Sequence, residues 1–385
     1  MINRVILLVI DGFGIGALPD AGAYGDDQAD TISHLADAVG GLSLPNLESL
    51  GLGHVAPIKG VRSMAQPIGC FGRLGFSSRG KDSVVGHWEL SGVIVKDETT
   101  VCRSGIPAAM MAVIERIVGR KTIGNTIASM AAALREYGPS HISTKSPIIW
   151  TDGDNTCFLA AHESVMPAAD LQQRCREIRK ALKDAGVRIR VVAQPVTGEP
   201  GALQASKGRR DFVSEPSGLT MLDVLNRSGQ ITMGIGKAYD LFNGRGFTKS
   251  FAVDSAMAAL DEVIGMLNKV PRGLLYATLD LFPEEPTAAS TALEGFDRRL
   301  PDLFEKLRVG DLVIVTGDHG RDLSLPGKMP TREYVPVFVT SPKLTQGVDL
   351  GSRQTAADVA QTVVEALRAE RLPVGDSFLD ALRPG

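Results

Sequence analysis

Three short segments carry side chains whose types and spacing could do chemistry. In Asp11-Gly12-Phe13-Gly14-Ile15-Gly16-Ala17 an aspartate stands at the exit of an apolar run and glycines follow it. The glycine spacing is G-x-G-x-G, not the G-x-G-x-x-G of dinucleotide-binding turns. A carboxylate where a pyrophosphate would rest is also electrostatically wrong for that role. The segment reads either as one arm of a cation site or as a turn capped by Asp11. Thr316-Gly317-Asp318-His319-Gly320-Arg321-Asp322 has a neighbouring carboxylate and imidazole that can ligate one ion such as Mn²⁺ or Zn²⁺. The competing reading is a helix cap beside a histidine. In Gly80-Lys81-Asp82-Ser83-Val84-Val85-Gly86-His87 the serine is not in a G-x-S-x-G elbow. It is a nucleophile only if a base or a metal activates it; otherwise Ser83 is a loop hydroxyl and His87 a packed ring.

The elements around these segments explain how they could converge. Val5–Ile10, Gly273–Leu279 and Asp311–Thr316 are short continuous apolar runs, the pattern of strands buried on both faces of a parallel sheet. They run directly into Asp11, Asp280 and Gly317-Asp318-His319. A fourth run, Val335–Thr340, ends at Ser341-Pro342. Helical periodicity separates the runs, at Ser255–Leu267, at Ser290–Leu307 and at Thr355–Glu370 with Thr355 as N-cap. Strand–helix alternation predicts a doubly wound α/β sheet, whose ligands sit beyond the carboxyl ends of its strands.

Residues 94–211 read as an inserted, smaller α/β domain between core segments 1–93 and 212–385. Helices are expected at Pro107–Val118, at Asn125–Tyr137 (stopped by Gly138-Pro139) and at Ala168–Ala185. The last carries Leu171, Cys175, Ile178 and Leu182 on one stripe. Ser146–Thr151 reads as a strand, Val187–Ala193 as a strand with one solvated face, and Gly198–Arg210 as a basic, glycine-rich loop.

Composition narrows the function classes. Of 385 residues, 44% are hydrophobic and 22% charged, which excludes a disordered or collagen-like chain. A formal net charge of −3 offers no bulk field for nucleic acid or an anionic membrane surface. No apolar stretch approaches the roughly 20 residues of a membrane span. Cys70, Cys102, Cys157 and Cys175 are scattered without metal or disulfide spacing, each expected as a small buried hydrophobe in a reducing cytoplasm.

In order along nearly the whole chain, several stretches resemble the alkaline phosphatase superfamily, and most closely the phosphopentomutases. They are VIDGFGIGALPDAGAYGD (9–26), ADTISHLA (29–36), LPNLESLGL (44–52), GKDSVVGHWELSGV (80–93), AAHE (160–163), FDRRLPDL (296–303), VTGDHGRD (315–322) and TREYVPVFV (331–339). The resemblance implies an alkaline-phosphatase-like core with an inserted cap. It also implies phosphoryl transfer between ribose 1-phosphate and ribose 5-phosphate through a phosphorylated hydroxyl flanked by two ions, usually Mn²⁺. Carried over, Asp11, Asp318 and His319 match ligands of one metal, and Ser83 matches the nucleophile, where the family usually has threonine.

The second metal's ligands depart from the pattern. Where the family has a stretch of the form VDFDxxxGH, this chain has Leu279-Asp280-Leu281-Phe282-Pro283-Glu284-Glu285-Pro286, and Pro330 precedes Thr331-Arg332-Glu333 in place of a histidine. Asp280 survives as a candidate metal ligand, with Glu284 and Glu285 as further carboxylates that could join it, but the family's ligand aspartate falls at Phe282 and none of the six histidines lies at these positions. In the cap, Gln194 and Ala205 stand at basic positions, leaving Asp154, Arg209, Arg210 and Lys237 as candidate substrate contacts. The expectation is therefore an enzyme using Mn²⁺ or Mg²⁺, one ion rather than two, on a small phosphorylated sugar or nucleoside-like ligand. The alternative is a diverged paralogue with one metal or none, acting on another phosphate ester or only binding a ligand or protein.

Overall fold

The computed structural model describes residues 1–96, 100, 102–153, 155–326, 329–344 and 346–382. Its chain divides into two compact units, one of Met1–Lys96, Pro216–Tyr239 and Gly244–Gly385, the other of Asp97–Glu215 and Asp240–Asn243.

The first unit is built on an eight-stranded sheet in the order Lys249–Phe251, Thr232–Ile235, Gly273–Asp280, Arg4–Asp11, Asp311–Gly317, Val335–Thr340, Cys70–Leu74, Asp349–Arg353. Its central strand, Arg4–Asp11, pairs in parallel with Gly273–Asp280 on one side and Asp311–Gly317 on the other. Val5 through Ile10 are fully buried, so both pleated faces are covered. Ile6, Leu8 and Ile10 join a core with Leu260, Val263, Phe296 and Leu300 from the helices Ala256–Met266 and Pro286–Phe304. Each such side chain contributes on the order of 1.5–3 kcal/mol by leaving water. At the opposite edge from the strand ends, Arg4 holds Asp311 through two hydrogen bonds (3.0 and 2.5 Å) and caps the carbonyls of Leu267 and Val270. Val335–Thr340 is a strand as expected, but it runs antiparallel to both neighbours.

The second unit has its own sheet, ordered Ile123–Ile127, Ile148–Thr151, Thr156–His162, Arg190–Thr197, Gln204–Ala205, with Arg210–Phe212 also pairing Arg190–Thr197. The helices Ala108–Val118 and Ala168–Asp184 share one core, which buries the stripe Leu171, Cys175, Ile178 and Leu182. Three expectations fail here. The segment from Asn125 is first a strand, Ile123–Ile127, and the helix begins at Met130 and continues through Pro139 to Thr144. A proline costs the helix one hydrogen bond, but Ala133, Leu134 and Ile142 lie in or against a core with Trp150, and that packing spans the proline. The strand expected at Val187–Ala193 runs instead from Arg190 to Thr197 with no solvated face, because Arg190 is neutralised by Asp211 on the neighbouring strand (2.9 Å). Part of the expected 198–210 loop is a short strand. In the first unit the C-terminal helix is Ala357–Ala366, two residues inside the expected N-cap. The Thr355 hydroxyl accepts from Ala357 N–H (3.2 Å) and donates to Glu89.

Candidate metal and phosphoryl-transfer site

Strand register brings three acidic residues to one edge of the first unit's sheet. Asp11 pairs with Asp280 across one parallel ladder, so their side chains share a face. On the other side Ile10 pairs with Gly317, which puts Asp318 one step past the strand end. Asp11, Asp318 and His319 each turn a ligand atom to a common point, all within 4.8 Å of one another, and among the described residues this is the one such group of three.

These side chains are oriented from behind. The Asp318 carboxyl is buried and accepts the Gly12 N–H through Oδ1 (3.1 Å). Its Oδ2 has no hydrogen-bond partner, although His87 Nε2 lies 3.4 Å away. The Nδ1 of His319 faces the Gly320 carbonyl at 2.8 Å, and a carbonyl can only accept, so that nitrogen carries the proton. In neutral His319 the Nε2 lone pair therefore points at the site, 3.6 Å from Asp11 Oδ1 and 3.5 Å from Asp318 Oδ2.

Electrostatics match this arrangement. Burial pushes the Asp318 carboxyl up, but the His319 and His87 imidazoles and the Gly12 amide outweigh it and hold it well below the ordinary range. For Asp11, burial likewise opposes ionisation, and the Lys237 ammonium, His319 and Arg321 overcome both it and the repulsion from Asp318. Burial pulls His319 down, whereas the Asp318 and Asp11 carboxylates raise it above the usual imidazole value. An unpartnered buried carboxylate oxygen, a second carboxylate and an inward-facing imidazole nitrogen form a donor set suited to one small divalent cation.

Ser83 approaches the same point from a different element. It is the first residue of the helix Ser83–Leu90, capped by Asp82, which accepts the Val84 and Val85 N–H groups (2.8 and 3.2 Å). The Ser83 hydroxyl is 3.0 Å from His319 Nε2 and only 6% exposed. Four residues on, the same helix presents His87, whose Nδ1 shares a 2.6 Å hydrogen bond with the Tyr276 hydroxyl. Burial pushes the Tyr276 phenol up, so it stays protonated.

The loops on either side are locked by Glu333 and Arg332. Buried Glu333 accepts from the Gly16 and Thr31 amides and the Thr31 and Thr331 hydroxyls. Arg332 binds Asp20 and the carbonyls of Phe76 and Gly80.

The chain aligns with known proteins over nearly its full length. Residues 3–371 match the Metalloenzyme superfamily model. A phosphopentomutase of Carboxydothermus hydrogenoformans is 40% identical over 387 residues, covering 99% of this chain and 100% of that protein. One of Alkaliphilus metalliredigens is 37% identical, covering 98% of each. The chain belongs to the phosphopentomutase family.

Phosphopentomutases are isomerases, and their alkaline-phosphatase-like superfamily depends on divalent metal ions. The cluster Asp11, Asp318, His319 fits one such ion by its donor chemistry and its orphaned Asp318 oxygen. Among the described residues a second ion finds no comparable set. Phe282 is fully buried, its ring 6.1 Å from that of Phe13, and Asp280 is engaged by Lys237 Nζ at 3.1 Å.

Of the other expected site residues, Arg209 and Arg210 lie in the second unit, paired with Asp211 (3.3 Å) and Asp240 (2.8 Å). Asp154 lies outside the described residues. Sequence reasoning missed Tyr276, hidden in an apolar strand. Its signal was a phenol in a run with no exposed position, since a buried hydroxyl needs a partner.

Proposed function

We propose that this protein is a phosphopentomutase-type phosphotransferase that moves a phosphoryl group between two hydroxyls of a pentose phosphate through Ser83. The observation that carries the reading is the 3.0 Å approach of the Ser83 hydroxyl to His319 Nε2, at the point where Asp11 and Asp318 also converge. Asp11, Asp318 and His319 would hold Mn²⁺ or Mg²⁺. Such an ion lowers the pKa of a nearby hydroxyl and offsets charge on the phosphoryl oxygens.

In the first half-reaction the Ser83 oxygen bonds to phosphorus as the bond from phosphorus to the sugar oxygen breaks. The departing sugar oxygen keeps the bonding electrons and takes up one proton, the serine hydroxyl having lost one. The second half-reaction reverses this on the other sugar hydroxyl, which regenerates Ser83. Asp82 sets the position of Ser83 by capping the helix on which it is the first residue. His87 sits against Asp318 from the next turn of that helix. The four cysteines are unbridged and buried, which supports a reducing, cytoplasmic setting.

The loss of acidic and histidine positions at Phe282 and Pro330 favours one alternative, a paralogue that acts on a different phosphate ester or only binds one. Brief exposure of the Mn²⁺-loaded protein to ³²P-labelled ribose 1-phosphate separates the readings. Label is expected on Ser83 and absent from Ser83→Ala, together with formation of ribose 5-phosphate. Equal labelling of the alanine variant overturns the nucleophile, and label without isomerisation overturns the pentose assignment.

A further inference from the structure

Asp11 has two carboxylate oxygens, and they face different cations. Oδ1 looks toward His319 Nε2 at 3.6 Å, on the side of the proposed metal. Oδ2 meets the ammonium of Lys237 at 3.3 Å, and that ammonium also reaches Asp280 Oδ2 at 3.1 Å. The pair of carboxylates that strand register sets side by side is thus spanned by a fixed positive charge.

The position of Lys237 is built into the backbone. Its strand, Thr232–Ile235, pairs in parallel with Gly273–Asp280, so both chains leave the sheet at the same edge. Gly236 then turns at φ +76°, and a Cβ there would fall 2.5 Å from Thr278 Oγ1. The next amide, that of Lys237, donates to Thr278 Oγ1 at 2.7 Å. The backbone that launches the side chain is therefore pinned to the strand that carries Asp280. Three other cations of this unit make structural contacts: Lys81 to Asp26 (2.7 Å), Arg332 to Asp20 and two carbonyls, and Arg321 to the Phe282 carbonyl (2.9 Å).

We propose that Lys237 is the second cation of this site: its ammonium takes the place of a second metal ion and meets the phosphoryl group beside a single bound metal. The inference rests on the phosphoryl-transfer reading above. An ammonium carries one positive charge and N–H donors that bind phosphate oxygens by hydrogen bonding. A phosphoryl group entering the site takes over the contact to the half-exposed Asp280, while the Asp11 contact keeps the ammonium in register with the metal. This arrangement explains why Asp280 is present although Phe282 and Pro330 supply no ligands.

The test is binding, not turnover. Elemental analysis and Mn²⁺ titration of the full-length protein should give one ion per chain. Inorganic phosphate binding to the Mn²⁺-loaded protein should weaken about ten-fold in Lys237→Met, the cost of one charge-assisted hydrogen bond, and recover in part in Lys237→Arg. Removing a neighbouring like charge should leave Mn²⁺ bound at least as tightly in Lys237→Met. Two tightly held ions in the wild type overturn the proposal. So does unchanged phosphate affinity in Lys237→Met, or weakened Mn²⁺ binding, which would make Lys237 a mere prop for Asp11. None of these readouts needs Ser83 to react. Absence of label on Ser83 would sink the transfer reading and leave them standing, whereas two bound ions would sink this inference with the label intact.

Discussion

The two sides of Asp11 start from the same geometry and end in different chemistry. On each side a parallel strand delivers an aspartate to the sheet edge. Toward Asp311–Gly317 the chain continues as Asp318-His319-Gly320, both side chains are buried, and an unsatisfied oxygen and an imidazole nitrogen face inward. Toward Gly273–Asp280 it continues as Leu281-Phe282, both side chains turn into the core, and Asp280 stays half exposed against Lys237. Strand register provides the place for a cation. In the reading proposed above, the two residues after the strand decide whether that cation is a metal or an ammonium.

Substitutions on the two sides should therefore behave oppositely. Asp318→Asn keeps the shape and the Gly12 contact but removes the charge, and Mn²⁺ affinity should fall more than about 100-fold in a titration, since even groups behind a ligand are worth some 10–100-fold. Retained affinity would erase the distinction between the two sides. Restoring an acid on the other side should fail: Phe282→Asp empties a core position and buries a charge. Denaturant unfolding should register a loss of roughly 3–5 kcal/mol with the ion count still one. A second bound ion would show that only a missing carboxylate separates the sides. The smallest effect is expected for Tyr276→Phe, which removes the 2.6 Å partner of His87. Mn²⁺ should bind up to about ten-fold more weakly, while inorganic phosphate binding to the Mn²⁺-loaded protein stays unchanged.

Much of this was legible in the residues themselves. Runs of apolar residues ending in Asp11, Asp280 and Asp318-His319 betray buried parallel strands, because such strands admit no polar face until they leave the sheet. The segment Gly80–His87 declared a serine near a histidine, but not that the segment is a capped helix. Asp82 as a cap becomes evident only with the helix in view. What stayed hidden depended on partners far along the chain. The helix that crosses Pro139, the buried Arg190 and the paired Arg210 are each decided by tertiary neighbours that local propensity does not encode. Lys237 was visible as a basic residue after a strand, yet its place between Asp11 and Asp280 follows from strand order, which one-dimensional spacing does not reveal.

Gly86 sits in the middle of the helix that carries Ser83 and His87, where glycine costs about 1 kcal/mol relative to alanine. A Cβ there would lie 2.0 Å from the Asp318 carbonyl oxygen. The gap between the proposed nucleophile and the proposed metal ligands is thus gauged by a methyl group that is not there. Any side chain at this position would act as a shim, lifting the helix and carrying the Ser83 hydroxyl off the Asp318-His319 corner. Catalytic spacing in this enzyme is a property of two backbones in contact, and it is open to loss through a substitution that touches no reacting atom.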